Sequence, residues 1–576
     1  MKRTYSIIII SILVVAIAAY LYVHFAVLKI KDLKPGDAKP QSDIDFRPLI
    51  IAKLQRLVKD GSNGLYNLSI EKLEPDILQS QLNIIHATLV PDTAALTRID
   101  NAKKAPDNVF KISFDSLHIA GITPEDFLHK DKIVLDSVFI TEPIIEVYHR
   151  PRSYNEAQRK RDDTATLYQR LSKQFKTISV NAITVRHGTL IHKDLSHKNK
   201  NTRFNDVSLD AKNLLIDSST QFDKNRFLFA KEAELSCKDY VTRTPDSMYF
   251  FKIGSISLHA TKHTMVAKQV SLEPRYNKEE FEKKLPSRDD RLDMKFPNVV
   301  ANKIDWRSLV NDEIFFAEEA DIYDARIKDY IDMSVPVTLY PRMDNFPSQL
   351  FLRVPLKIKI DKLNVHNMNV VSEEYNPTTK RSSNIYFDKV HGTLKNLTNL
   401  SAAIKKNKNV SFSGSCLFMH QIPCKCSFRF DLSKYQTGDF SVDLHMAALD
   451  KTVLNPFTEP LSLFTVKSGS MQEATTHLEG NNFTTSCKLL MLYNDLHITP
   501  LKPDDNDSSK LKKKSVMSFF ANKFFIKNAN PSHGDTPRYS EVIVQRAHNG
   551  FFNFVWKTIL TSILKTVGIP LKYANK

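Results

Sequence analysis

Ile178-Ser179-Val180-Asn181-Ala182-Ile183-Thr184-Val185-Arg186-His187-Gly188-Thr189-Leu190-Ile191-His192 alternates apolar and polar residues, slips phase at Asn181, then resumes the alternation. Period two is the signature of a strand with one covered face. A strand that changes phase cannot keep a single flat face, so the slip calls for a bulge or corner where Asp, Asn or Gly is tolerated. The same pattern occurs at Ile112, Phe114, Asp115, Leu117 and Ile119; at Ile133, Leu135, Asp136, Val138 and Ile140; at Phe251, Ile253, Gly254, Ile256 and Leu258; and at Ile358, Ile360, Asp361, Leu363 and Val365. Near-matches run through Thr202 to Leu209 and Ile385 to Gly392, and a further apolar pair follows at Ile144-Ile145, Leu190-Ile191 and Val370-Val371. The units recur without a fixed period, which excludes regular propeller blades. The expected fold is mainly β: an elongated, curved, largely antiparallel sheet forming a groove, with short helices.

The composition fits a water-soluble body. Of 576 residues, 42% are apolar and 25% charged, and the mean hydropathy is −0.30. Only 14 residues are glycine, so phosphate-cradling loops are disfavoured and the strand corners are expected to fall mostly to Asp and Asn. The net charge of +17 suits anionic lipid surfaces, and no basic-aromatic nucleic-acid motif accompanies it. The five cysteines include no CxxC. Cys424 and Cys426 would share a strand face with Cys416 nearby, so a disulfide among these three is open.

Tyr5 to Leu28 has His24 as its only residue titrating near neutral pH. Its length of about 24 residues is enough to cross a hydrocarbon core as a helix. Residues 1–31 are therefore expected to be a cytoplasmic start and an uncleaved signal anchor, leaving the rest translocated. Residues 32–64 form a linker with Pro35 and Pro40, then a helix over Phe46 to Lys59 ended by Gly61 and Gly64. Residues 65–501 hold the repeating strands, with brief helical pieces at Asp163 to Phe175, Lys278 to Leu285 and Ile304 to Val310. Residues 502–548 read as a polar, basic loop and terminal strands. Residues 549–576 begin with an amphipathic helix, Phe551 to Val567: Phe552, Trp556, Ile559, Ile563 and Val567 line one face and are candidates for membrane contact, with a cap over the sheet as the alternative.

Catalytic and cofactor signals are sparse. The chain has no GxSxG, HExxH or Walker loop, and no GxGxxG between a strand and a helix. His259 and His263 have helical metal-ligand spacing in strand-like surroundings, and Asp504, Asp505 and Asp507 lack the glycine and glutamate of a calcium loop. No catalytic residue, metal or cofactor is expected. The concave face would offer acyl chains an apolar path along Ile112, Phe114, Ile133, Leu135, Ile178, Val180, Ile183, Val185, Phe251, Ile253, Ile358, Ile360, Leu363 and Val365.

The anchor, the helical start running into Gly64-Leu65-Tyr66, the paired motifs at 178–192 and 358–371, the late segment at 478–502 and the ending Gly550 to Thr558 together resemble the AsmA-like family of the repeating β-groove superfamily, which includes TamB-type proteins. The resemblance implies a single-pass inner-membrane protein of a Gram-negative envelope with its bulk in the periplasm. It also implies a lipid-lined trough, phospholipid and the inner and possibly outer membrane as partners, and a role in phospholipid movement and outer-membrane integrity. It transfers no catalytic residue. The competing expectation is a non-transporting envelope scaffold or assembly factor whose interior is a filled core.

Overall fold

The computed structural model describes residues 47–569 apart from 77, 122–131, 156–167, 169–175, 197–200, 221, 222, 224, 228, 338–344, 451, 452, 514–525, 533, 534 and 547–549. The expected span Tyr5–Leu28, the linker after it and most of the helical piece Asp163–Phe175 lie outside the described residues. Among the described residues no helix is long and apolar enough to cross a membrane. The chain is mainly β with short helices. It divides into two compact units, the first of Met1–Thr242, Ile253–Val266 and Asp305–Glu313, the second of Arg243–Lys252, Ala267–Ile304 and Ile314–Lys576.

The first unit starts with α1 (Arg47–Gly61), which buries Leu54 and Val58, one helical turn apart, and packs on β1. The strands β1 (Tyr66–Asp76), β2 (Gln81–Pro91) and β3 (Asn108–Ala120) pair antiparallel in sequence order, with α2 (Thr93–Asn101) between β2 and β3. Asp92 caps α2 by accepting the Ala95 N–H at 2.8 Å. The next strands, β4 (Lys132–Thr141) and β5 (Ile144–His149), lie end to end against β3 and run parallel to the single long strand β6 (Thr177–Asp194), which pairs antiparallel with β7 (Asn201–Ile216). Because β5 and β6 are parallel, the chain after His149 must return along the whole strand length before Thr177.

β8 (Glu232–Arg243), β9 (Tyr249–His259) and β10 (Thr264–Pro274) carry residues of both units. The second unit contains α3 (Lys278–Lys284) and repeats the plan: β11 (Arg291–Ile304) faces the end-to-end strands β12 (Ile314–Tyr323) and β13 (Arg326–Asp332), which run parallel to β14 (Lys357–Asn376), itself antiparallel to β15 (Arg381–Thr398). The return connection here carries α4 (Pro347–Leu352), and α5 (Ser401–Lys406) follows β15. An antiparallel meander follows: β16 (Asn409–Phe418), β17 (Ile422–Asp431), β18 (Phe440–Met446), β19 (Leu449–Asp450), α6 (Asn455–Ser462), β20 (Phe464–Gly480), β21 (Thr484–Pro503), β22 (Leu511–Lys513) and β23 (Tyr539–Gln545). α7 (Phe551–Thr566) packs on β21 and β23.

The phase slips are real, but the residues at the slip are not the strained ones. Ile133 and Leu135, then Val138 and Ile140, are buried on β4, and Ile178 and Val180, then Ile183 and Val185, on β6. The left-handed residue sits across the ladder instead: Gly121 faces Asp136, Asn213 faces Asn181, Lys303 faces Glu318 and Asn396 faces Asp361. Each such position is skipped by the ladder, which lets the neighbouring strand keep its pairing while its apolar face changes phase. Asp and Asn do not monopolise these corners, since His86, Glu142, His187, Gln269, Lys303 and Lys389 are also left-handed. They recur at matching places in the two units, roughly 180 residues apart: Gly121 with Lys303, Glu142 with Asp324, His187 with Asn367, Asp206 with Lys389, and Asn213 with Asn396.

Gly121 has φ +81, and a Cβ there would lie 2.5 Å from the Asp136 backbone nitrogen. Gly121→Ala should therefore cost about 2–4 kcal/mol, read as a lower denaturant midpoint with unchanged slope. At the matching position the chain already accommodates a side chain at φ 53, so Lys303→Gly should leave the denaturant midpoint nearly unchanged, trading an exposed ion pair to Glu318 for relief of strain.

Candidate functional site

In the second unit, one row of direct ladder partners crosses ten strands: Ala301, Ala320, Leu363, Leu394, Phe412, Phe428, Val442, Leu478, Cys487 and Val542. Every member is apolar. One residue along, on the opposite face, the partners from β12 onward are Asp321, Asn364, Thr393, Ser413, Ser427, Asp443, His477, Lys488 and Glu541, all polar. Alternation between these two neighbouring rows, kept in register from strand to strand, gives this stretch of sheet one apolar and one polar face.

The apolar row is covered unevenly. Val442, Leu478, Cys487 and Val542 are buried in a cluster with Phe551, Phe554 and Val555 of α7. Leu363, Leu394, Phe412 and Phe428 are only half-buried. The Phe412 ring lies over two glycines, since a Cβ on Gly392 or Gly414 would come within 2.5 or 2.8 Å of its Cζ. Those glycines leave the aromatic ring room to lie against the sheet.

The polar face is knit by side-chain bonds. Asn364 donates to Asp321 at 3.0 Å and accepts from Thr393 at 3.1 Å. His477 Nδ1 lies 2.6 Å from Asp443, which holds the imidazole above its usual pKa. Ser427 donates to the other Asp443 oxygen at 3.2 Å. Aspartate thus stands between serine and histidine, and the histidine is not placed to take the serine proton as nucleophilic catalysis requires. A depression of about 580 Å³ opens here, with Lys425, Ser427, Asp443, His477, Lys488 and Tyr539 among its lining.

The sequence-derived groove residues separate by unit. In the first, Ile112, Phe114, Ile133, Leu135, Ile178, Val180, Ile183 and Val185 are all buried, and the ladder joins Ile133 to Ile178 to Ile216 and Leu135 to Val180 to Leu214. In the second, Ile358, Ile360 and Leu363 are half-buried while Val365 is buried; Phe251 and Ile253 on β9 are half-buried. Phe412 and Phe428 escaped the sequence reading because each sits in a short apolar-polar alternation without a slip motif, and Leu394 because it lies two residues beyond the near-match that ends at Gly392.

The C-terminal helix meets the sheet through a face its apolar spacing did not mark. Thr558, Ser562 and Thr566 are buried with Phe551 and Phe554, and Ser540 donates to the Ser562 carbonyl at 2.9 Å. Small residues at one-turn spacing let the backbones approach closely. Of the expected membrane-contact residues, Val567 is buried, Trp556 stacks edge-on against Phe457 at 5.6 Å, Ile559 and Ile563 are half-buried, and Phe552 is 66% exposed. The Phe552 and Phe428 ring centroids are 6.4 Å apart, at the half-buried part of the apolar row.

Charged groups are also held partly out of water in this unit. Burial raises the Glu374 carboxyl and lowers the Lys557 ammonium, each opposed by the other's charge, while Asn553 of α7 donates to Glu374 at 3.5 Å. Burial pushes Glu282 on α3 up to about 7, aided by the nearby Asp332 charge, and Asp329 up to about 6. Among the described residues no group of three or more His, Cys, Asp or Glu side chains is placed to hold a metal ion. No protein-family model matches the chain, and no curated protein matches it.

Carboxyls raised above their unfolded values stabilise the fold when protonated, so this contribution is complete below about pH 4 and is lost as pH climbs through about 6 to 7. Glu282→Gln combined with Asp329→Asn should raise the melting temperature at pH 8 and leave it nearly unchanged at pH 4. Equal shifts at both pH values would refute the assignment.

Proposed function

We propose that this chain is a membrane-anchored lipid-binding and transfer protein of the periplasm. In this reading it carries phospholipid or a related lipid between envelope membranes and supports outer-membrane integrity. The observation that carries the reading is the ten-strand apolar row, half-open at Leu363, Leu394, Phe412 and Phe428 and backed by an uninterrupted polar row. An acyl chain laid on such a row gains roughly 0.8 kcal/mol for each methylene removed from water. The charged head group can remain wet beyond the strand ends, so transfer needs no covalent step. The expected N-terminal anchor and net charge of +17 suit work at anionic bilayers. The resemblance to AsmA-like proteins points the same way.

A scaffold is the second reading, and the closed interior of the first unit favours it there: the groove candidates on β3, β4 and β6 are covered and give an acyl chain no surface without displacement.

Photo-crosslinking separates the two readings. With benzoylphenylalanine in place of Phe412, the full chain irradiated in cells should form adducts with phospholipid. The same residue in place of Ser413, one position along on the polar face, should give at least about tenfold fewer. Equal labelling, or none at either site, would sink the conduit.

A further inference from the structure

Cys416 on β16 and Cys424 on β17 are direct ladder partners, two residues in from a hairpin that closes at Phe418 and Ile422. Both are buried in one apolar cluster with Val390, Phe418 and Ile422. Pro423 lends its carbonyl to the Ala447 N–H at 3.0 Å, on the β18 side, so the backbone groups of Cys424, next along, point back to β16. That makes Cys416 and Cys424 a hydrogen-bonded pair with Cα atoms about 5.5 Å apart, inside the range of roughly 4.4–6.8 Å that a disulfide spans.

We propose that Cys416 and Cys424 are an oxidisable pair that closes to a disulfide across β16 and β17, while Cys237, Cys426 and Cys487 remain thiols. Cys426 shares the face but lies opposite Gly414. Its approach to Cys416 is diagonal, about 7–8 Å between neighbours, beyond the roughly 4.4–6.8 Å between Cα atoms that a disulfide spans. Cys487 on β21 is paired with Leu478 and Val542, and Cys237 belongs to the other unit.

The oxidant is a disulfide, either of a small molecule or of a thiol-disulfide exchange protein. The thiolate of one cysteine attacks one oxidant sulfur, forming a mixed disulfide and releasing the first thiol. The second cysteine then attacks the protein sulfur, forms the internal bond and releases the second thiol. The two cysteine protons end on the two released thiols, so the pair loses two electrons and the oxidant gains them. Either cysteine can supply the first thiolate, and the other then closes the bond. Exchange takes place before the apolar cluster closes over the hairpin, and burial then shields the bond from reductant. The closed bond would lock the register of the two strands that present Phe412 and Phe428.

The inference is independent of lipid binding and is read by mass. The full chain is refolded with oxidised glutathione, unfolded in the presence of N-ethylmaleimide and cut with trypsin. Cleavage after Lys408 and Lys425 leaves Cys416 and Cys424 together in Asn409–Lys425 and puts Cys426 in Cys426–Arg429. The expected result is a long peptide lighter by two hydrogens and free of maleimide, with the remaining three of the five cysteines labelled. Cys426→Ser should leave that result unchanged, and Cys416→Ser should make Cys424 fully labelled. Two maleimides on the long peptide, or protection of Cys426 in place of Cys424, would overturn the proposal.

Discussion

The structure depends on the coupling of two regularities: side chains alternate along a strand, and backbone hydrogen bonds hold neighbouring strands in register. Either alone gives only local order. Together they turn a period-two sequence pattern into continuous rows, so that Leu363, Leu394, Phe412 and Phe428 meet although they are far apart in the chain. A one-residue error in any of these pairings would place a polar residue such as Thr393 or Ser413 in the apolar row. The skipped ladder positions are therefore where the coupling is managed: at Lys303, Asn213 and Asn396 the chain accepts a left-handed residue so that adjoining pairs stay in register.

Coverage of the apolar face then separates packing from function. In the first unit the rows through Ile133, Ile178 and Ile216 are shut, as a stable core requires. In the second unit α7 covers the end that carries Val442 to Val542 and stops at Phe552, beside Phe428. The stripe Thr558, Ser562 and Thr566 explains why this helix lies so close to β21 and β23. Its apolar residues Trp556, Ile559 and Ile563 are left at the sides of the contact, and the Lys557 charge acts on the partly buried Glu374.

Much of the fold is legible in residue types. The five slip motifs lie on observed strands, and the helix at the start, the helix at Lys278–Lys284 and the C-terminal helix fall where their spacing places them. The doubled strand plan is not legible, because its matching corners carry different residues: Gly121 against Lys303, His187 against Asn367 and Asp206 against Lys389. A left-handed backbone is set by what faces it across the ladder, which a linear pattern does not contain. The candidate site was half legible for the same reason: Ile358, Ile360 and Leu363 announce themselves through a slip motif, whereas Phe412 and Phe428 matter only because registered neighbours continue their row.

The sequence by itself determined a β-rich, glycine-poor chain with phase-shifted strands, since side-chain alternation and the apolar N-terminal run are local properties of consecutive residues. Only the tertiary structure decided which apolar residues close into a core and which remain half-open, which corner faces which, and which cysteines are partners. Those outcomes depend on strand register and on the face of α7 turned to the sheet. Both are set by contacts between residues separated by tens to more than a hundred positions, beyond the reach of any local pattern.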